Sequence, residues 1–151
     1  MKRKFLATIF AALSVTIFVI SANAQRNVTP AIDRDPLMEQ DAKHNLDVAK
    51  QYFLLKKAYK GVLERFEETY AAYPTFSKID EFLYYAGMSS YYLAEGKGKQ
   101  KIDHTREKDP AKYEPAKLKD DAIGYLSTIV EKYPESKFKN DAEKTLAVLK
   151  K

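Results

Sequence analysis

Few residues of this chain are of a type and spacing that could do chemistry. It has two histidines, a handful of acidic pairs and eleven tyrosines, with no cysteine and no tryptophan. His44 follows Asp41 by three residues and precedes Asp47 by three. On a helix, Asp41 and His44 would share a face and could share a metal ion. No third ligand at metal-site spacing accompanies them, so a solvated helix face is the better account. His104 sits beside Asp103 in a run of charged residues, and the same account applies there. The pairs Glu67-Glu68 and Asp120-Asp121 are adjacent, so on helices their carboxylates diverge by about 100°. No glycine-rich phosphate cradle, nucleophile elbow or HExxH pair occurs. These residues predict a protein that is not an enzyme and needs neither cofactor nor metal.

Tyrosine is the residue in surplus, with doublets at Tyr84-Tyr85 and Tyr91-Tyr92. Tyr85, Ser89 and Tyr92 recur at three- and four-residue steps, which places them on one helical face. Aromatic stripes at that spacing pack between helices more often than they bind a partner. The sharper reading makes them a contact surface, because tyrosine offers a large rigid area and a polar tip at low entropic cost.

The elements that would position these side chains are helices. Asp35-Pro36 reads as an N-cap followed by proline at the first helical position. Leu46, Ala49 and Phe53 continue one apolar stripe, predicting a helix over 36–56. A second stripe runs from Tyr59 through Val62, Leu63 and Phe66 to Tyr73, where Pro74 ends it. Ser77, with Asp80 three residues on, reads as a weak capping box for a third helix reaching about Ala94. Residues 95–114 are dominated by charges and glycine and predict a solvated, mobile loop insertion. Its basic half, Lys97 to Lys101, could meet an acidic partner or anionic lipid, but it lacks the interleaved aromatics of a nucleic-acid strip. Pro115 opens a fourth helix that Pro134 closes, and a fifth carries Phe138, Ala142, Leu146 and Leu149. No strand signal appears.

Before these helices come Lys2-Arg3-Lys4, an uncharged run from Phe5 to Ile20, and small residues at Ala22 and Ala24 before Gln25. That layout predicts a secretory signal peptide over 1–24, cleaved between Ala24 and Gln25, with a flexible leader over 25–35. The run is shorter than the twenty or so residues that comfortably span a bilayer. Of the +5 net charge, Lys2, Arg3 and Lys4 supply three, leaving 23 basic against 21 acidic residues and about +2. A balanced surface of this kind argues against a nucleic-acid partner. Without cysteine, an exported chain has neither disulfides nor the thioether on which a lipid would be built, so no covalent membrane anchor is expected. The expected location is periplasmic, with secretion or a peripheral place at the outer membrane as alternatives.

An internal match ties the helices together. Val62-Leu63, Phe66, Thr69-Tyr70 and Tyr73-Pro74 correspond to Ala122-Ile123, Leu126, Ile129-Val130 and Tyr133-Pro134, each 60 residues later. The pattern Tyr59, Val62-Leu63, Phe66, Pro74, preceded by Leu46, Ala49 and Phe53, resembles the tetratricopeptide repeat. The Tyr-Pro linkers resemble those of bacterial exported repeat proteins of the BamD and CpoB type. The resemblance implies an all-α superhelix of about two and a half helical hairpins over 36–151. It further implies a non-catalytic scaffold in the cell envelope whose groove receives a peptide or partner protein, or an accessory subunit of an outer-membrane assembly machine. Lys50 stands where the family favours a small residue. With Tyr85, Ser89 and Tyr92 it makes up the candidate partner-binding set. So few repeats lie near the minimum for stability, which leaves self-association open.

Overall fold

A computed structural model describes residues 34–151; the expected signal peptide, its expected cleavage residues and most of the expected leader lie outside the described residues. The described chain is helical throughout: α1 (Pro36–Gln51), a π-helical turn (Tyr52–Lys56), α2 (Tyr59–Ala72), α3 (Ile79–Ala94), a 3-10 turn (Pro110–Tyr113), α4 (Pro115–Lys132) and α5 (Lys139–Leu149). Each helix packs against the next, with α3 and α4 making the largest pairing and α1 also touching α3. Two hairpins, α1/α2 and α3/α4, and the half hairpin α5 thus form the expected all-α superhelix.

The predicted boundaries have clear local causes. Asp35 Oδ1 accepts from the amides of Leu37 (2.8 Å) and Met38 (3.3 Å), satisfying two donors left over at the start of α1. Proline at 74 and 134 bars the preceding tyrosine from the helical region. Tyr73 (φ −146°, ψ 71°) and Tyr133 (φ −127°, ψ 64°) therefore leave the helix in nearly the same way. The turns that follow repeat bond for bond. Amide-to-carbonyl bonds Tyr73 to Thr69, Phe76 to Tyr73 and Ile79 to Phe76 recur 60 residues later as Tyr133 to Ile129, Ser136 to Tyr133 and Lys139 to Ser136. The repeat in sequence is a repeat in backbone hydrogen bonding.

Three local expectations change. The capping box at Ser77 does not form: α3 starts at Ile79 with no side-chain cap, and the Ser77 amide instead donates to Glu39 of α1. Asp80 is occupied elsewhere, accepting from the Ser136 hydroxyl at 2.6 Å. The last turn of the first predicted helix widens to π geometry and ends on Lys57 in the left-handed region (φ 51°), with the Ala58 amide reaching back to the Tyr52 carbonyl. The 95–114 segment is not a free loop. Its Lys99 amide donates to the Lys57 carbonyl (3.0 Å), and the Gly61 amide donates to Gln100 Oε1 (3.3 Å). Lys60 pairs with Glu107 (2.6 Å), Lys112 pairs with Glu67, and Tyr113 is buried. Composition concealed this because a few ties and one aromatic side chain pin a segment whose other residues are solvated.

The core runs through all the helices, with Leu46, Val62, Phe66, Phe82, Leu118, Leu126 and Ile129 essentially excluded from water. Each such side chain contributes about 2 kcal/mol on leaving water. Ala49 and Ala86, both fully buried, provide the small positions where helices come close. Gly87 does so most strictly, since a Cβ there would lie 2.8 Å from the Leu126 side chain across the α3–α4 crossing. Gly124, on the exposed flank of α4, has nothing within 4 Å of its would-be Cβ. Gly87→Ala should therefore cost about 1–3 kcal/mol in urea unfolding through overpacking. Gly124→Ala should gain about 0.5–1 kcal/mol from helix propensity alone.

Candidate functional site

The face shared by α1, α3 and α5, the first helix of each hairpin, carries a continuous band of aromatic rings. The π turn ending α1 carries Phe53, whose ring lies 5.4 Å from Tyr59, 5.2 Å from Tyr85 and 5.8 Å from Tyr92. Tyr85 meets Tyr84 (5.6 Å), and Tyr84 stacks on Phe138 at 4.5 Å with the planes 20° apart. The edge-on and offset geometries are those that aromatic quadrupoles favour. Tyr59 and Tyr85 are buried, whereas Phe53, Tyr84, Tyr92 and Phe138 are partly exposed. The band is a core seam that surfaces along one side.

One ion pair borders it, and two further lysines, Lys97 and Lys137, lie over its Tyr92 and Phe138 rings. Lys50 Nζ lies 2.9 Å from Glu81 Oε1, joining α1 to α3. The hydrogen bond it donates to Glu81 holds the Lys50 ammonium above its ordinary range, against the opposing effect of burial. Lys50 does not occupy the close crossing, which falls to its neighbour Ala49. Beside it, Asp47, Lys50, Gln51, Leu54 and Leu55 line an open cleft of about 380 Å³.

The four candidate residues therefore part company. Lys50 and Tyr92 reach the surface, Lys50 in its ion pair and Tyr92 beneath the Lys97 ammonium, 5.5 Å from the ring centre. Tyr85 is 8% exposed and Ser89 is wholly buried, its hydroxyl without a hydrogen-bond partner. Both sit inside because α3 is enclosed on nearly every side, so no spacing along it marks an outer face. Sequence spacing alone missed Phe53, Tyr84, Phe138 and Glu81 as members of this face. The Tyr84-Tyr85 doublet was the available signal, since two adjacent rings cannot both be fully inside.

What the band offers is contact area and neutral hydrogen-bonding groups. Burial, aided by Asp141 near Tyr84 and by Glu81 near Tyr85, holds both phenols above their ordinary range. No nucleophile lies beside a base in it. His44, Asp41 and His104 are all exposed, and no three His, Asp or Glu side chains among the described residues converge to hold a metal.

The buried phenols carry a pH signature. Burial also raises Tyr113 and pushes Tyr125 up to about 12. Phenols in the unfolded chain ionise near their ordinary value of 10, so folding keeps these groups neutral at a pH where unfolding would let them ionise. The stability they provide is complete below pH 10 and lost as pH rises toward 12. Phenolate absorbance should therefore lag behind that of free tyrosine and rise together with loss of helical circular dichroism in that window.

Comparison with known proteins agrees with the hairpin architecture. The family model YfiO, described as outer membrane lipoprotein, matches residues 22–151, nearly the whole chain. No curated protein and no solved structure matches it. The chain thus belongs to the YfiO family of outer membrane lipoproteins, which places it among the exported proteins of the cell envelope.

Proposed function

We propose that this protein is a non-catalytic scaffold of the cell envelope that holds a partner protein or peptide against the α1/α3/α5 face. The observation that carries the reading is the aromatic band Phe53–Tyr85–Tyr84–Phe138, of which Phe53, Tyr84 and Phe138 are partly exposed over a buried Tyr85, with the Lys50–Glu81 pair at its border. Stacked hairpins bury their apolar faces against one another and leave an extended surface free, and recognition by repeat proteins uses such surfaces. Partly exposed rings suit the task because they are already ordered by their own stacking, so little side-chain entropy is lost on contact.

Within this reading, membership in an outer-membrane family favours a periplasmic partner, and a place as accessory subunit in outer-membrane protein assembly is the second form of the proposal. In that form the scaffold would co-purify with an outer-membrane barrel protein. In the general form it would bind a soluble segment alone.

Photocrosslinking in the native envelope tests the assignment. A photoreactive residue in place of Tyr84 or Lys50 should trap one discrete partner. The same residue in place of Gly124, on the open flank of α4, should trap none. Equal yields from all three positions, or none from any, would refute the assignment to this face.

A further inference from the structure

The ends of the helices opposite the Tyr-Pro turns form a second, different surface. Because consecutive helices run antiparallel, the end of α1, the start of α2, the end of α3, the 95–114 segment and the start of α4 gather at one end of the molecule. The bond from the Lys99 amide to the Lys57 carbonyl fixes two of these parts side by side. Lys56 and Lys99 line one cleft of about 320 Å³ together with Gln100 and Glu64.

The charge at this end carries a modest basic excess, because the exposed and unpaired Asp47, Asp109, Glu114 and Asp120 are outnumbered by unpaired lysines. Lys60, Arg106, Lys112, Lys117 and Lys119 each pair with a carboxylate, which uses up Glu64, Glu107, Asp103, Glu67, Asp121 and Glu95. Lys56, Lys57, Lys97, Lys99 and Lys101 are exposed, and none of them pairs with a carboxylate of the described residues. Lys56 lies over the Tyr52 ring (4.9 Å) and Lys97 over the Tyr91 ring (5.6 Å), so two of the five have their ammonium groups held by neighbouring side chains. Next to them, the π turn projects Leu54 and Leu55, 58% and 74% exposed, the largest pair of adjacent exposed apolar side chains among the described residues.

We infer that this end docks on an anionic bilayer surface, with Leu54 and Leu55 entering the headgroup region and the five lysines facing phosphate. Two leucines beside a cluster of unpaired lysines match what interfacial binding needs, apolar area together with attraction to anionic lipid. Long lysine stems let their charges stay with the headgroups while leucine goes deeper. An outer-membrane family and a sequence without cysteine make such a non-covalent contact useful at the membrane itself. The surface adjoins the α1/α3/α5 face where Leu54 and Leu55 meet Lys50 and where Lys97 covers Tyr92, but its ligand is a bilayer, and vesicle binding is read with no protein partner present.

Co-sedimentation of the full exported chain with vesicles tests this. Vesicles of phosphatidylcholine with roughly 30% phosphatidylglycerol should retain the protein, and vesicles of phosphatidylcholine alone should retain little. Retention should fall with added salt, as screening requires. Leu54→Ser with Leu55→Ser should lower partition at least tenfold, and Lys99→Glu with Lys101→Glu should do so by about fivefold for each charge removed. All four positions are exposed, so thermal unfolding of the variants should match the parent chain. Equal retention on both vesicle types, indifference to both double variants, or no retention on either would overturn the inference. So would capture on soluble polyglutamate without vesicle binding, which would assign the lysines to an acidic protein instead.

Discussion

Burial of α3 on nearly all of its sides is the constraint around which the other helices arrange themselves. Residues 85–90 of that helix are buried without interruption, enclosed mainly by α2 and α4, with α1 touching it on one side and single side-chain contacts from Thr145 and Phe138 on the other. A helix this enclosed has no polar side to give to water. It must therefore be small wherever a neighbour crosses it, as Ala86 and Gly87 are, and it must tolerate buried hydroxyls at Ser89 and Ser90 that find no partner. The remaining helices each keep a solvated flank and hide the other against α3 or against a helix that touches it.

The repeated Tyr-Pro turn sets the step from one hairpin to the next. It reproduces the same three hydrogen bonds after α2 and after α4, so the step from one hairpin to the next is the same twice. The connection between α3 and α4 obeys no such rule. There the chain spends twenty residues crossing the helix ends, tied down by Lys99, Gln100, Glu107, Lys112 and Tyr113. One end of the molecule is thus regular and closed by short turns, while the other is broad, basic and partly apolar. The aromatic face lies along the helices between these two ends.

Much of the fold was legible in the residues because its causes are local. Asp35-Pro36, Tyr73-Pro74, Pro115 and Tyr133-Pro134 punctuate helices through proline geometry, and the 60-residue offset exposed the repeat. The candidate face was less legible. Tyr85 and Ser89 have the spacing of a surface stripe, yet the enclosure of α3 puts both inside, and enclosure is a property of neighbours far away in sequence. Phe53 and Phe138 read as ordinary core positions, and only the tertiary packing shows them edging into solvent beside Tyr84. The docking of 95–114 was hidden for the same reason: composition reports the solvated majority of a segment and not the few residues that anchor it.

Hydrogen exchange of backbone amides, followed segment by segment under native conditions, tests the central place of α3 most directly. The account predicts that amides of Phe82 to Ser90 exchange last and only with global unfolding, while α5 opens earlier and the Lys99 amide shows measurable protection. Exchange of α3 amides as fast as those of α5 would contradict it, because a helix enclosed on nearly every side cannot open before the helix at the edge of the stack.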